Sequence, residues 1–442
     1  MKKYFVISVI LIAVIFEGCT TMVTREPEFI RVNGTRFTLN GSPYYFMGTN
    51  LWYGCYLGSP GATGDRERLM RELDELQAMG ISNLRIMASS EDSYIKKSLK
   101  PVIQPEPGEY NEELLEGLDF LLAEMGKRNM HAVIFLNNYW EWSGGFAAYN
   151  NWFGDGKIVD PYDSNHTWDE FMNYSAEFYR NEKANDQFKK FITMIISRKN
   201  KFTGINYFED PVIMSWQLAN EPRPGWGDYA LPYVDSYYKW IDETAGFIHS
   251  LDPNHLVSTG SEGVIGSLQN EEIFLKAHES SNVDYVTFHL WIKNWGWFDP
   301  LKPEETYPSA EKNAIDYINQ NIGVAQRLNK PVTLEEFGLG RDLESCEAGA
   351  QSTIRDKYFK KVFDKFYEDA SSGKPIAGLN FWAWGGEGRS KSQDHTWRVG
   401  DPLVGDPPHE PQGVYSIFNT DYSTLKIIRD AALRVNELMN KK

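Results

Sequence analysis

Two glutamates close short apolar runs in positions that suit acid–base and nucleophilic chemistry. In Ser215-Trp216-Gln217-Leu218-Ala219-Asn220-Glu221-Pro222-Arg223 a strand-like run leads straight into Asn-Glu-Pro. Pro222 offers no amide donor and stops the ladder, which puts Glu221 at the strand's C-terminal tip. In Lys330-Pro331-Val332-Thr333-Leu334-Glu335-Glu336-Phe337-Gly338 a second run ends the same way. Strand alternation sends Glu335 and Glu336 to opposite sides, so only one of them faces the mouth. Taken singly, either glutamate reads equally well as a solvated or ion-paired strand end. Taken together they fit glycoside hydrolysis. One carboxyl stays protonated and donates to the leaving oxygen, while the other is ionised and attacks the anomeric carbon. A nearby arginine would hold the nucleophile ionised, and an apolar or aromatic wall would keep the acid protonated.

Such a pair needs two strand ends opening on one face. Strand-like segments fall at 44–48, 82–87, 132–136, 212–218, 256–259, 283–289, 332–336 and 376–382. Several are continuous apolar runs, as parallel strands covered on both faces require. Helical patterns lie between them, near 65–79, 111–128 and 185–198, with a closing helix near 424–439; in the first, Leu69, Leu73, Leu76 and Met79 form one stripe. Eight strands alternating with helices predict an α/β fold, a closed (β/α)₈ TIM barrel. Ahead of it, 29–41 carries two Asn-Gly pairs and reads as a β-hairpin with room for a third strand. The stretches 137–184 and 385–411 are rich in aromatic residues, Asn and Gly, follow strands, and would hang over the C-terminal face. Trp382 and Trp384 alternate with Ala383, so both could point inward, with packing an equal reading for Trp384.

The N-terminus stands outside the fold. Lys2 and Lys3 precede an apolar run from Tyr4 to Phe16, followed by Gly18-Cys19. That is a signal-peptide pattern, shorter than the roughly 20 residues of a membrane span. Cleavage before Cys19 with lipid on its thiol is the sharper expectation, as in bacterial lipoproteins. The expected division is 1–18 signal peptide, 19–28 tether and 29–442 a single catalytic barrel. Export to the envelope of a Gram-negative bacterium follows, facing either the periplasm or the outside. Cys55 and Cys346 then remain, too far apart for a disulfide framework, and read as buried free thiols. A formal net charge of −16 argues against nucleic acid or anionic membrane as the main partner. The 14 Trp and 24 Tyr, many beside Gly, Asn and Asp, instead offer flat apolar faces on which sugar rings stack.

These motifs, in this order, resemble glycoside hydrolase family 5, and specifically its mannanase branch, over nearly all the chain after the leader. The resemblance implies that Glu221 is the acid/base and Glu336, in Glu-Phe-Gly, the nucleophile. It implies that Arg85, in Asn83-Leu84-Arg85-Ile86-Met87, orients the nucleophile, that Asn220 contacts the sugar 2-hydroxyl, and that His289 and Trp382 line the site. Asn138 and Trp140 in Asn137-Asn138-Tyr139-Trp140, Arg223, and Glu262 in Ser261-Glu262-Gly263 are similar to the branch's substrate-binding positions. One departure stands out: where many relatives carry His-x-Tyr, with the tyrosine bonding the nucleophile, this chain has His289-Leu290-Trp291, and an indole only donates. Trp291 is still expected to face the substrate.

The implied reaction is retaining hydrolysis of β-1,4-mannosidic bonds in mannan, glucomannan or galactomannan, without cofactor or metal; mannan endo-1,4-β-mannosidase is the foremost expectation. An endo-β-1,4-glucanase of the same family and a surface lipoprotein that binds glycans without cutting them are the alternatives. Attack inside the chain or at its end turns on whether the loops 137–184 and 385–411 wall off one end of the cleft.

Overall fold

All eight expected barrel strands form, within two or three residues of the expected bounds. The computed structural model describes residues 28–439, so the leader and Cys19 lie outside the described residues. A three-stranded antiparallel sheet comes first, β1 (Arg31–Asn33), β2 (Arg36–Leu39) and β3 (Ser42–Tyr44). The Asn-Gly pairs explain it. Asn40 and Gly41 both take positive φ, as a two-residue turn matching the strand twist demands.

The barrel strands are β4 (Phe46–Asn50), β5 (Asn83–Met87), β6 (His131–Phe135), β7 (Ile213–Gln217), β8 (Leu256–Ser258), β9 (Val286–Leu290), β10 (Val332–Phe337) and β11 (Ile376–Phe381). They pair in parallel in the order β8-β7-β6-β5-β4-β11-β10-β9. A bridge between Ser258 and Tyr285 closes the ring. The helices that follow each strand are α1 (Arg66–Ala78), α2 (Glu112–Gly126), α3 (Glu182–Ile196), α4 (Val234–Leu251), α5 (Glu271–Glu279), α6 (Pro303–Leu328), α7 (Thr353–Ser371) and α8 (Tyr422–Leu438). Leu69, Leu73 and Leu76 are wholly buried on the inner face of α1, as their spacing requires. Asp65 caps α1 through the Arg68 amide, and Asn111 caps α2. The third helix begins earlier than the expected 185, because Asn181 caps it through the Ala184 amide. Cys55 is buried and Cys346 half-buried, both free.

One expectation needs correction. Glu335 and Glu336 do not point to opposite sides of the barrel wall. The register against β9 shifts between Leu334 and Glu336, and this bulge turns Glu335 into the barrel interior as well. There it accepts from Gln217 and lies 3.8 Å from Arg85. Only Glu336 lines the mouth. Of the two readings open for Trp384, packing is the one realised: it is fully buried and its indole donates to Glu72 of α1 at 3.2 Å.

The segment linking β11 to α8 is held from below by a buried ion-pair cluster. Asp421 bonds Arg341, lies 3.3 Å from Arg355, and accepts the Phe418 and Gly349 amides. Against the upward push of burial, Arg355 and Arg341 hold its carboxyl below the ordinary aspartate value. Its stabilisation is therefore present above about pH 4 and is lost as pH falls through the depressed folded value. Asp421→Ala would leave two buried guanidinium groups without a counter-charge. We expect a loss of about 3–5 kcal/mol in urea denaturation at neutral pH.

Candidate active site

Glu221 and Glu336 leave β7 and β10 at the same end of the barrel, where an open cleft of about 1080 Å³ lies. Backbone bonds fix the first: the Asn220 amide donates to the Asn137 carbonyl at 2.8 Å and the Glu221 amide to Gly260 at 2.9 Å. Glu221 itself adopts φ 50°. That left-handed conformation is costly for a residue with a Cβ and is tolerated where neighbouring strands over-determine it. The second is set by register, because Glu336 pairs with His289 on β9. At least one oxygen of each carboxylate and a ring nitrogen of His289 lie within 4.8 Å of one another.

The two glutamates have different partners. Glu336 accepts a short bond from Arg85 Nη1. Arg85 is fully buried beneath the mouth and spends its other donors on Gln217 (2.9 Å), Asn50 (3.1 Å) and Asn220 (2.8 Å), with Phe135 against its face. Glu221 accepts from the Trp140 indole at 2.6 Å and contacts His289 Nδ1 at 2.5 Å, while the Trp291 indole also faces it. Burial pushes both carboxyls up, and the Glu221 charge raises Glu336 further, against the pull of Arg85. The guanidinium seated on Glu336 favours its charged form. Burial, with the Arg85 charge, keeps His289 well below its usual value and hence neutral. With its proton on Nδ1, it can serve Glu221 and, at 3.3 Å, Glu336. Arg85 and His289 are thus the polar groups that approach Glu336.

Around this pair the expected residues divide. Asn220, Arg223, Glu262, Trp140, Trp291 and Trp382 line the cleft. Arg223 bonds Glu262 and lies over the Trp140 ring, and Trp295 donates to the other Glu262 oxygen at 2.9 Å. Asn138 does not line the cleft. It is fully buried behind Asn220, accepting from Asn220 at 3.2 Å and from the Trp140 amide at 3.1 Å. It reaches a ligand only through those neighbours. Trp142, Trp226, Trp295, Trp297, His409 and Glu410 also line the cleft and went unrecognised. Their one signal was the aromatic density of the loops.

A carboxylate pair this close falls short of the roughly 6.5–9.5 Å spacing of inverting enzymes and suits direct attack by one of them. Comparisons with known proteins agree in kind. The model of a family described as GH family 5 beta-mannosidase-like matches residues 27–440. The chain is similar to mannan endo-1,4-beta-mannosidase 7 of Arabidopsis thaliana, 30% identical over 372 residues, covering 80% of this chain and 77% of that one. It resembles the crystal structure of a glycoside hydrolase family 5 mannosidase from Rhizomucor miehei, with a TM-score of 0.85 and 38% identity over 93% of this chain and 98% of that one. The endo-beta-1,4-mannanase of Thermotoga petrophila is more distant, with a TM-score of 0.63 and 26% identity over 90% of this chain and 78% of that one.

Proposed function

Because the chain belongs to glycoside hydrolase family 5, in its β-mannosidase-like group, we propose that it hydrolyses β-1,4-mannosidic bonds through Glu336 and Glu221. Family membership makes it a retaining glycoside hydrolase. The observation that carries the residue roles is the unequal partnering of two close carboxyls, an arginine on Glu336 and an indole and imidazole on Glu221.

The reaction follows from that asymmetry. Glu336 attacks the anomeric carbon of the mannose seated over Trp382 as the bond to the leaving oxygen breaks. Glu221 passes its proton to that oxygen, so the departing sugar leaves as an alcohol. The mannosyl ester on Glu336 is then opened by water, whose proton Glu221, now a carboxylate, accepts. Two inversions at one carbon give net retention. Asn220 supports binding at the 2-hydroxyl: its oxygen is taken by Arg85 and one amide hydrogen by Asn138, which leaves the other hydrogen for the cleft. Trp140, Trp291 and Trp382 supply the flat faces for sugar rings. The mannan-named relatives favour mannose over glucose at the reacting position.

Arg85→Lys keeps the charge but cannot reproduce four directed bonds from a rigid fork. We expect kcat on a β-mannoside to fall by on the order of 10²–10³-fold, the scale of losing a preorganised electrostatic contact. Steady-state assays alongside circular dichroism of the folded variant would check it.

Manno-oligosaccharides and β-mannan incubated beside a soluble cellulose derivative test the substrate class. Release of mannose or short manno-oligosaccharides with little from cellulose is the expected outcome. Cleavage of cellulose but not mannan would move the substrate to β-glucan. Export is also part of this proposal, with lipid on Cys19, on the strength of the leader pattern alone; loss of the chain from the membrane fraction in Cys19→Ser would test it.

A further inference from the structure

Glu335 is a buried carboxylate that the reaction described above does not use. The bulge in β10 turns it into the barrel interior, 3.8 Å from Arg85 Nε, and both side chains are wholly shielded from solvent. A second carboxylate in that place is costly to bury unless it compensates another charge.

Its hydrogen bonds run to Arg85 by two routes. The carboxylate accepts from Gln217 Nε2, which turns the Gln217 oxygen toward Arg85 Nε at 2.9 Å. The Glu335 backbone carbonyl accepts from Asn50 Nδ2 at 2.8 Å, which turns the Asn50 oxygen toward Arg85 Nη1 at 3.1 Å. A side-chain amide can present either end, so acceptors that take both amino groups commit both oxygens to the guanidinium. The second carboxylate oxygen accepts from Thr333 at 3.1 Å and from the Tyr285 hydroxyl at 3.5 Å. Burial raises this carboxyl, while Arg85 and the three side-chain donors pull against it and favour the ionised form.

The charge count around Arg85 changes during the reaction. Before attack the guanidinium meets two carboxylates, Glu335 and Glu336. Once Glu336 has become an ester it carries no charge, yet Arg85 stays fully buried beneath it. A guanidinium left alone there would be strongly unfavourable, and Glu335 is the counter-charge that remains. In the free enzyme the same charge opposes the pull of Arg85 on Glu336, so the nucleophile is not held too firmly in its ionised form.

We propose that Glu335 is a positioning residue for the transfer step, one that aligns Arg85 through Gln217 and balances its charge while Glu336 carries the sugar. It touches no substrate and acts a layer below the cleft. This role rests on Glu336 being the nucleophile.

Glu335→Gln removes the charge but keeps the shape and an oxygen for Gln217. The ester on Glu336 should then form more slowly. The rate at which 2-deoxy-2-fluoro-β-mannosyl fluoride inactivates the enzyme is expected to fall by on the order of ten- to a hundredfold, the scale of losing one contact to a charged group. The pH profile supplies a sign that packing alone would not. Glu335 faces Arg85 on β5, Tyr285 ahead of β9 and Glu336 on its own strand, and Glu336 also meets Glu221 and His289. Burial keeps Tyr285 a neutral phenol. The Glu335 charge raises Glu336, so removing it lowers Glu336, and attack requires Glu336 ionised. The acid limb of kcat/KM should therefore move to lower pH in Glu335→Gln, and stay near its wild-type position in Glu335→Asp, which keeps the charge.

An acid limb that stays in place or rises in folded Glu335→Gln, or an unchanged inactivation rate, would overturn the proposal while labelling of Glu336 leaves the hydrolase reading intact. Failure of the unaltered enzyme to take the label on Glu336 would overturn both. Neutron diffraction of the unaltered enzyme at its pH of highest activity needs no substitution: bare Glu335 oxygens are expected, and a deuteron on either of them would remove the counter-charge and the proposal with it.

Discussion

Glu336→Ala should lower kcat on β-mannosides by on the order of 10⁴-fold or more, equivalent to about 5.5 kcal/mol of barrier. The side chain supplies the atom that bonds to the anomeric carbon, and none of the polar groups around it can take over from where it stands. Arg85 and His289 carry no nucleophile toward the cleft, and Glu335 lies a layer deeper, bonded to Gln217. The pocket left by alanine would admit a small anion. Azide is expected to restore turnover of an aryl β-mannoside and to yield the α-mannosyl azide, because one displacement now replaces two. Recovery of a β-azide would assign the nucleophile elsewhere.

Glu221→Ala should behave differently, and the difference is diagnostic. General acid assistance contributes on the order of 10²–10⁴-fold where the leaving group is poor. Loss on manno-oligosaccharides should fall in that range, while a dinitrophenyl mannoside, which leaves without a proton, should form the mannosyl-enzyme at nearly the wild-type rate. Azide should here give the β-azide, since Glu336 still acts first. The pH profile carries the same information. Burial raises the Glu221 carboxyl above the ordinary glutamate value, and the acid works only while protonated. Activity should therefore fall as pH rises through that elevated value, and this alkaline limb should vanish in Glu221→Ala. A limb that persists unchanged would belong to another group.

The barrel was legible because its strands are buried on both faces and so read as continuous apolar runs bounded by turn residues. Ala132 to Phe135 is wholly buried, for instance. The proximity of Glu221 and Glu336 was legible for a related reason: both carboxylates end apolar strands that open on one face. What failed was anything that depends on a local break in regularity. The bulge at Glu335 defeats alternation, and nothing in Leu-Glu-Glu-Phe marks it. Alternation alone could not choose between the two readings of Trp384, because the partner that settles it, Glu72 of α1, lies far away in sequence. Within 137–184, helices at Gly145–Phe153 and Trp168–Ala176 escaped notice, being too short to establish a helical period among glycines and aromatics. Asn138 was placed correctly along the chain but one layer too shallow. The conformation of the segment 405–416 was beyond reach for a deeper reason. Its shape comes from one buried aspartate collecting amides and hydroxyls from 413–416, and a pattern of side-chain-to-backbone bonds in a loop has no periodicity to detect.

The central claim is that Glu336 becomes covalently mannosylated by a β-mannoside, with Glu221 serving as the acid. Incubation with 2-deoxy-2-fluoro-β-mannosyl fluoride would slow both steps while the good leaving group keeps the first one accessible, so the ester accumulates. Peptide mapping by tandem mass spectrometry is then the decisive measurement. A single added fluoromannosyl group on the peptide that contains Leu334-Glu335-Glu336-Phe337, fragmenting to Glu336 and discharged by adding a mannoside acceptor, is the predicted result. A label on Glu335 or Glu221, or substrate turnover with no adduct under conditions that inactivate the enzyme, would contradict it.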